Sequence, residues 1–262
     1  MKIGIFDSGI GGLTVFKEIS KALPSFEIVY LGDTARLPYG IKSKRTIDSY
    51  SINNVNFLKS LKCEIIVIAC NTASSYSTTL LKSKFQLPIF DVLTCGVQTA
   101  IALNPKCLGV IGTSSTINSE SYRKLILSKE KGIKVYSKAC PIFVPIIEQG
   151  LVKEKYYDKI IQESLSSLRK KNLDALILGC THYPLIKKNI RDYMGEEVIL
   201  VDSALEITVS LKKYLKSNYP NEFTKKRKKR NIYLTDKSEY FQSVTKKIFN
   251  KLDFKIKLVD IK

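Results

Sequence analysis

Short runs of Ile, Val and Leu recur along the chain at residues 3–6, 28–31, 65–69, 108–111, 133–136, 175–178, 198–201, 232–234 and 256–259. Runs this short and without polar alternation predict parallel strands covered on both faces. Between most of them the apolar positions return at helical spacing, over 13–23, 47–61, 76–85 and 157–168. Strand and helix alternate, which predicts an α/β fold.

The pattern also repeats. VIACNTAS at 67–74 is echoed by LILGCTHY at 176–183, and IGIFDSG at 3–9 by LGVIGTS at 108–114. The spacing between the paired elements is close in the two copies, so duplication explains the echoes better than the chance similarity of two α/β units. The expected architecture is two similar Rossmann-like (flavodoxin-like) lobes with mostly parallel sheets and a site in the cleft between them. A boundary is expected within 94–105 and a return crossing near 201–206. Residues 1–95 with 205–262 would form one lobe and 96–204 the other.

Composition narrows the class. Among 262 residues, 44% hydrophobic and 26% charged is a globular balance, and the longest unbroken apolar stretch is the six residues 65–70. A membrane helix needs roughly 20. A secretory signal is not expected either, because Asp7 and a glycine cluster stand where an apolar segment should lie. The chain carries 43 basic and 24 acidic residues, a net charge of +19, but only seven of the basic residues are Arg and most Lys are scattered singly. Base and phosphate recognition favours Arg, so the charge reads mainly as solvated surface and nucleic acid is not expected as a partner. KKRKKR at 225–230 reads as a solvated loop on the same grounds. A positive field still concentrates small acidic substrates.

The six cysteines at 63, 70, 95, 107, 140 and 180 contain no C-x-x-C pair, and the chain has one histidine, His182. No metal site is predicted from such spacing. Free thiols in a reducing cytoplasm are the default.

In an open α/β sheet, ligands bind beyond the carboxyl ends of the strands, where DSGIGG, GDTARLPYG, CNTAS, GTSST, GCTHYP and VDSA all fall. DSGIGG is a poor phosphate loop because Asp7 would repel the anion, whereas an ammonium would suit it. Cys70 directly follows a strand and precedes Asn71 and Thr72, a strand-to-helix turn that lowers a thiol pKa. Cys180 holds the matching place in the second copy. Taken singly, a cysteine reads as a small buried hydrophobe, and Cys63, Cys95, Cys107 and Cys140 keep that reading. Two thiols on opposite sides of one cleft suit chemistry that inverts a carbon centre, one taking a proton and the other returning one. A cysteine-protease dyad competes poorly, since His182 lies two residues from Cys180 and no second histidine serves Cys70.

Together DSGIGG, GDTARLPYG, CNTAS, GTSSTI, ACPIFVPIIEQG, LGCTHYP and VDS, in that order from residue 7 to 203, resemble the glutamate racemases of the aspartate/glutamate racemase superfamily. The resemblance implies a cofactor-independent amino-acid racemase that supplies D-glutamate for peptidoglycan. It casts Cys70 and Cys180 as the two acid/base residues, with Cys180 deprotonating L-glutamate and Cys70 D-glutamate. Asp7 and His182 would assist the thiols and Glu148 would be an auxiliary group. Asp7, Ser8, Tyr39, Gly40, Asn71, Thr72, Thr181 and His182 would bind substrate, with Thr113 and Thr116 as further candidates. Read alone, Asp7 is equally a turn residue, Glu148 a surface carboxylate and His182 a core imidazole. The implied partner is small-molecule glutamate, the candidate assembly a homodimer, and no cofactor, metal or membrane is expected. Aspartate racemase is the nearest alternative, and a basic regulatory or nucleic-acid-binding protein the alternative from another class. Beyond residue 204 the resemblance is loose.

Overall fold

A computed structural model describes residues 1–150, 155–226, 228–237, 241, 245, 249 and 254–261. The first part of the chain alternates strands β1 (Lys2–Asp7), β2 (Glu27–Gly32), β3 (Ile65–Ile68) and β4 (Ile89–Asp91) with helices α1 (Leu13–Ala22), α2 (Lys44–Ser60) and α3 (Asn71–Lys84). Helix α4 (Val92–Ala102) then leads to strands β5 (Cys107–Gly112), β6 (Lys134–Ala139), β7 (Ala175–Gly179) and β8 (Ile199–Val201). These are joined through α5 (Ser114–Asn118), α6 (Ser121–Lys129), α7 (Phe143–Glu148), α8 (Lys155–Arg169) and α9 (Lys187–Met194). Helix α10 (Ser203–Asn218) returns to β9 (Arg230–Leu234) and β10 (Lys255–Leu258).

Two parallel sheets result, ordered β10-β9-β2-β1-β3-β4 and β6-β5-β7-β8. Within the second, β5 lies between β6 and β7 and β8 flanks β7, as β1 lies between β2 and β3 and β4 flanks β3 in the first. The echoed segments therefore occupy equivalent strands, and Cys70 and Cys180 follow equivalent strand ends. The unalternating strand sequences have a direct cause. Ile3, Ile5, Ile65 and Val67 enter one apolar layer of the first sheet, while Phe6, Ile66 and Ile68 enter the layer on its other face. With both faces covered, period-two alternation of polarity has nothing to encode.

Three local features depart from the sequence expectation. Strand β4 was not foreseen, since three residues behind Pro88 give too short a signal. Helix α3 extends ahead of the apolar spacing over 76–85, beginning at Asn71 at the strand-to-helix turn expected after Cys70, and the hydroxyls of Ser75 and Thr78 donate to the carbonyls of Asn71 and Ser74 inside the helix. Such residues ordinarily compete with helix. The basic run is not wholly a solvated loop. Lys225, Lys226, Lys228 and Lys229 are exposed, but Arg230 is a buried strand residue, and Arg227 lies outside the described residues. Among the described residues no helix is long and apolar enough to cross a membrane.

Candidate active site

The carboxyl ends of β1, β3, β5 and β7 open onto one cavity of about 490 Å³. Ser8, Tyr39, Gly40, Cys70, Asn71 and Thr72 line it from the first sheet, and Thr113, Glu148, Cys180, Thr181 and His182 from the second. Eleven of the thirteen expected site residues thus meet in one place. Asp7 and Thr116 do not line the cavity, and each reaches it through neighbours.

Cys70 is the N-cap of α3, its Sγ accepting from the Ala73 N–H at 3.5 Å and lying 3.6 Å from the Ser8 hydroxyl. The expected lowering of its pKa is overturned. Burial, reinforced by the nearby Asp7 carboxylate, outweighs these two hydrogen bonds and pushes the thiol up to about 12. Cys70 is thereby held as a thiol, the form able to give a proton.

Asp7 is fully buried at the end of β1. One carboxylate oxygen accepts from the N–H groups of Gly9 and Gly12 at 2.9 and 3.0 Å, and the other from the Thr181 hydroxyl at 3.3 Å. Asp7 therefore sits beneath the cavity wall and shapes the glycine turn. Burial raises its pKa despite the His182 charge and those hydrogen bonds. The glycines serve close approach: a Cβ on Gly11 would stand 2.3 Å from Thr181 Oγ1 and 2.6 Å from His182 Nδ1.

On the opposite side, Cys180 Sγ lies 3.8 Å from His182 Nδ1, and His182 Nε2 lies 2.8 Å from Glu148 Oε1. Burial alone would lower the imidazole pKa. The hydrogen bonds and charges of Cys180 and Glu148 outweigh it and hold the ring well above its ordinary value. His182 is thus neither an idle core residue nor a lone group: sulfur, imidazole and carboxylate form one line into the cavity.

The donors expected for a carboxylate cluster at the lobe junction. Thr72, Thr113 and Thr116 place their hydroxyl oxygens 2.9 to 3.1 Å apart in a closed triangle, through which Thr116 acts on the cavity. Asn71 receives the Tyr122 hydroxyl on Oδ1 at 2.5 Å, while its buried Nδ2 has no hydrogen-bond partner among the described residues. Tyr39 donates to the buried Asp33 carboxylate and accepts from Asn54 Nδ2 at 3.0 Å, which fixes the turn carrying Gly40.

The site also contains residues that were not foreseen. Ile10, Leu37, Ile41, Pro141, Val144 and Pro145 give it an apolar wall, and Thr34, Gln149 and Asp236 add polar atoms. Leu37, Val144 and Pro145 belong to the quoted segments GDTARLPYG and ACPIFVPIIEQG, so their neighbours were the available signal. Asp236, after β9, had none.

Residues 3–210 match the family described as Asp/Glu/hydantoin racemase. A glutamate racemase of Aquifex aeolicus is 44% identical over 249 residues, covering 95% of this chain and 94% of the relative. The chain belongs to the glutamate racemase family. Solved structures agree with this membership. A glutamate racemase isoform from Bacillus anthracis superposes with a TM-score of 0.93 at 34% identity, covering 98% of this chain and 97% of that one. Another glutamate racemase, from Francisella tularensis and solved in complex with D-glutamate, gives 0.91 at 38% identity, covering 99% and 97%. As a family member the chain is an amino-acid racemase, and the two-lobed α/β fold is the family's own.

Proposed function

We propose that this protein interconverts L- and D-glutamate without a cofactor, by a two-base proton transfer in which Cys180 and Cys70 work on opposite faces of the α-carbon. One observation above all supports this reading: thiols from equivalent strand ends of two similar sheets line the same cavity. In the L-to-D direction the Cys180 thiolate takes the α-proton, and the electron pair is held on the substrate carboxylate as an enolate-like anion. The Cys70 thiol then gives its proton to the other face and is left as a thiolate. The reverse direction exchanges the roles. After product leaves, the Cys180 thiol gives its proton to solvent and the Cys70 thiolate takes one from solvent, which restores the resting state, and the His182–Glu148 pair stabilises the Cys180 thiolate.

The difficult step is forming a carbanion next to an ionised carboxylate, and preorganised donors in a dry cleft are the available means of stabilising it. Asn71, Thr72, Thr181 and Ser8 supply such donors. Residues 1–95 with 205–262 act as one lobe and 96–204 as the other, and their closure on substrate excludes water. The product serves peptidoglycan synthesis, and the place of action is the cytoplasm, a setting suited to the six free thiols.

The test is to follow the circular dichroism of L-glutamate with purified protein and no added cofactor, then repeat it with Cys70→Ser and Cys180→Ser. Acid/base groups of this kind contribute about 10² to 10⁴ in rate. Each substitution should therefore cost racemisation at least about a hundredfold. Solvent deuterium exchange should survive better for the enantiomer whose base is retained. Full racemisation by either variant would eliminate the two-thiol scheme, and a large preference for aspartate would overturn the substrate.

A further inference from the structure

Tyr122, near the start of α6, is a buried residue that none of the roles above uses, yet it reaches both the first residue of α3 and the carboxyl end of β7. Its hydroxyl lies 2.5 Å from Asn71 Oδ1, one residue beyond Cys70. Its ring edge occupies the space in front of Gly179, one residue before Cys180, where a Cβ would meet Tyr122 Cε2 at 3.1 Å. The adjacent Ser121 hydroxyl donates to the Ser75 carbonyl at 2.6 Å, pinning the same end of α6 to the first turn of α3.

The contact also decides how the Asn71 amide is turned. An oxygen-to-oxygen distance of 2.5 Å belongs to O–H···O, whereas N–H···O bonds run at about 2.7–3.2 Å. The amide oxygen therefore faces the phenol, and burial keeps that phenol protonated as a donor. With its oxygen engaged, the amide is left with a buried Nδ2 that has no hydrogen-bond partner among the described residues, on a residue that lines the cavity. An orphaned buried donor is costly to a fold unless a ligand satisfies it.

We propose that Tyr122 is a positioning residue for racemisation: its hydroxyl locks the Asn71 amide with the N–H bonds free for a substrate carboxylate, and its ring ties that register to the turn carrying Cys180. This rests on the glutamate-racemase reading. The hydroxyl acts through Asn71 alone, so its removal affects carboxylate binding. The ring acts on the spacing of the two thiol-bearing turns, so its removal affects chemistry as well.

A double-mutant cycle in steady-state glutamate racemisation tests this. Tyr122→Phe keeps the ring and should raise KM about tenfold, the equivalent of one lost hydrogen bond, while kcat stays within about threefold. Asn71→Ala should raise KM at least as much, and the double variant should match Asn71→Ala, because the two residues act in series. Tyr122→Leu should lower kcat in addition. An unchanged KM in Tyr122→Phe would overturn the proposal. So would a double variant whose defect equals the product of the single defects, or a fall in kcat of Tyr122→Phe with KM unaltered. Failure of the unsubstituted protein to racemise glutamate would instead remove the functional reading itself, and this inference with it.

Discussion

At the scale of single residues, the two thiols have unlike surroundings although they stand at equivalent places. Cys70 is embedded beside Asp7 and a serine hydroxyl, whereas Cys180 faces an imidazole backed by a carboxylate. The difference can be measured because His182 is the only histidine in the chain. Its Cε1–H resonance should report imidazolium through pH 6.5 and titrate only well above it. Glu148→Gln removes one of the groups that raise the pKa, so the midpoint should move down. The sign for stability follows. A histidine whose folded pKa is raised stabilises the fold fully below its unfolded value near 6.5, and that contribution is lost as pH rises through the folded value. The advantage of the native protein over Glu148→Gln in urea unfolding should thus be largest below about pH 6.5 and fade under alkaline conditions. An unmoved midpoint in Glu148→Gln would show that the carboxylate does not control the ring.

Among the elements, the junction of α1 with β9 carries the clearest structural load. The Arg230 guanidinium donates to the carbonyls of Ser20, Leu23, Pro24, Phe26, Lys228 and Lys229, closing the carboxyl end of α1 and the loop that follows it. Helix ends leave carbonyls without partners, and a planar fork can satisfy several of them at once. Arg230→Met should cost roughly 3 kcal/mol in urea unfolding by leaving buried acceptors unsatisfied. Arg230→Lys should recover less than half, because an ammonium cannot span the same fan of carbonyls. Because none of the six residues whose carbonyls Arg230 holds lines the cavity, kcat/KM should stay within about threefold in both variants that fold. A loss under about 0.5 kcal/mol, the range of ordinary surface changes, would contradict this role. Arg230 also marks where sequence reading stops. Strands such as β1 and β3 were legible because burial on both faces leaves an uninterrupted apolar run. The positions of Cys70 and Cys180 were legible because thiols directly after such runs fall at strand ends. Arg230 was hidden in a run of like charges, and only tertiary packing separates it from its four exposed lysine neighbours. The start of α3 was legible from the strand-to-helix turn at Cys70, although its polar first turn carries no apolar spacing.

For the molecule as a whole, two sheets of like strand order present their carboxyl ends to one cavity, and a ligand held there joins both. Thr72 already reaches Thr113 and Thr116 across the junction, and the Ser115 hydroxyl reaches the Gly40 carbonyl at 2.8 Å. A ligand that engages donors from both sheets adds its binding free energy to that of these contacts, so substrate should raise stability. A Cys70→Ser, Cys180→Ser double variant separates binding from turnover and lets each enantiomer be offered alone. Ligand at a hundred times its Kd stabilises the folded state by about 2.7 kcal/mol. For a chain of this size that raises Tm by roughly 5–10 °C. L- and D-glutamate should both do so, because the carboxylate and ammonium contacts needed by one enantiomer are nearly those needed by the other once the α-hydrogen is exchanged between faces. Aspartate, one methylene shorter, cannot place both carboxylates against the same donors and should give a smaller shift at equal concentration. Asn71→Ala in the same background should reduce the shift at any fixed glutamate concentration, since it removes the donor that Tyr122 holds in place. A shift produced by only one enantiomer would mean that the cavity binds a single hand of the amino acid, which a two-faced proton exchange between Cys70 and Cys180 cannot accommodate.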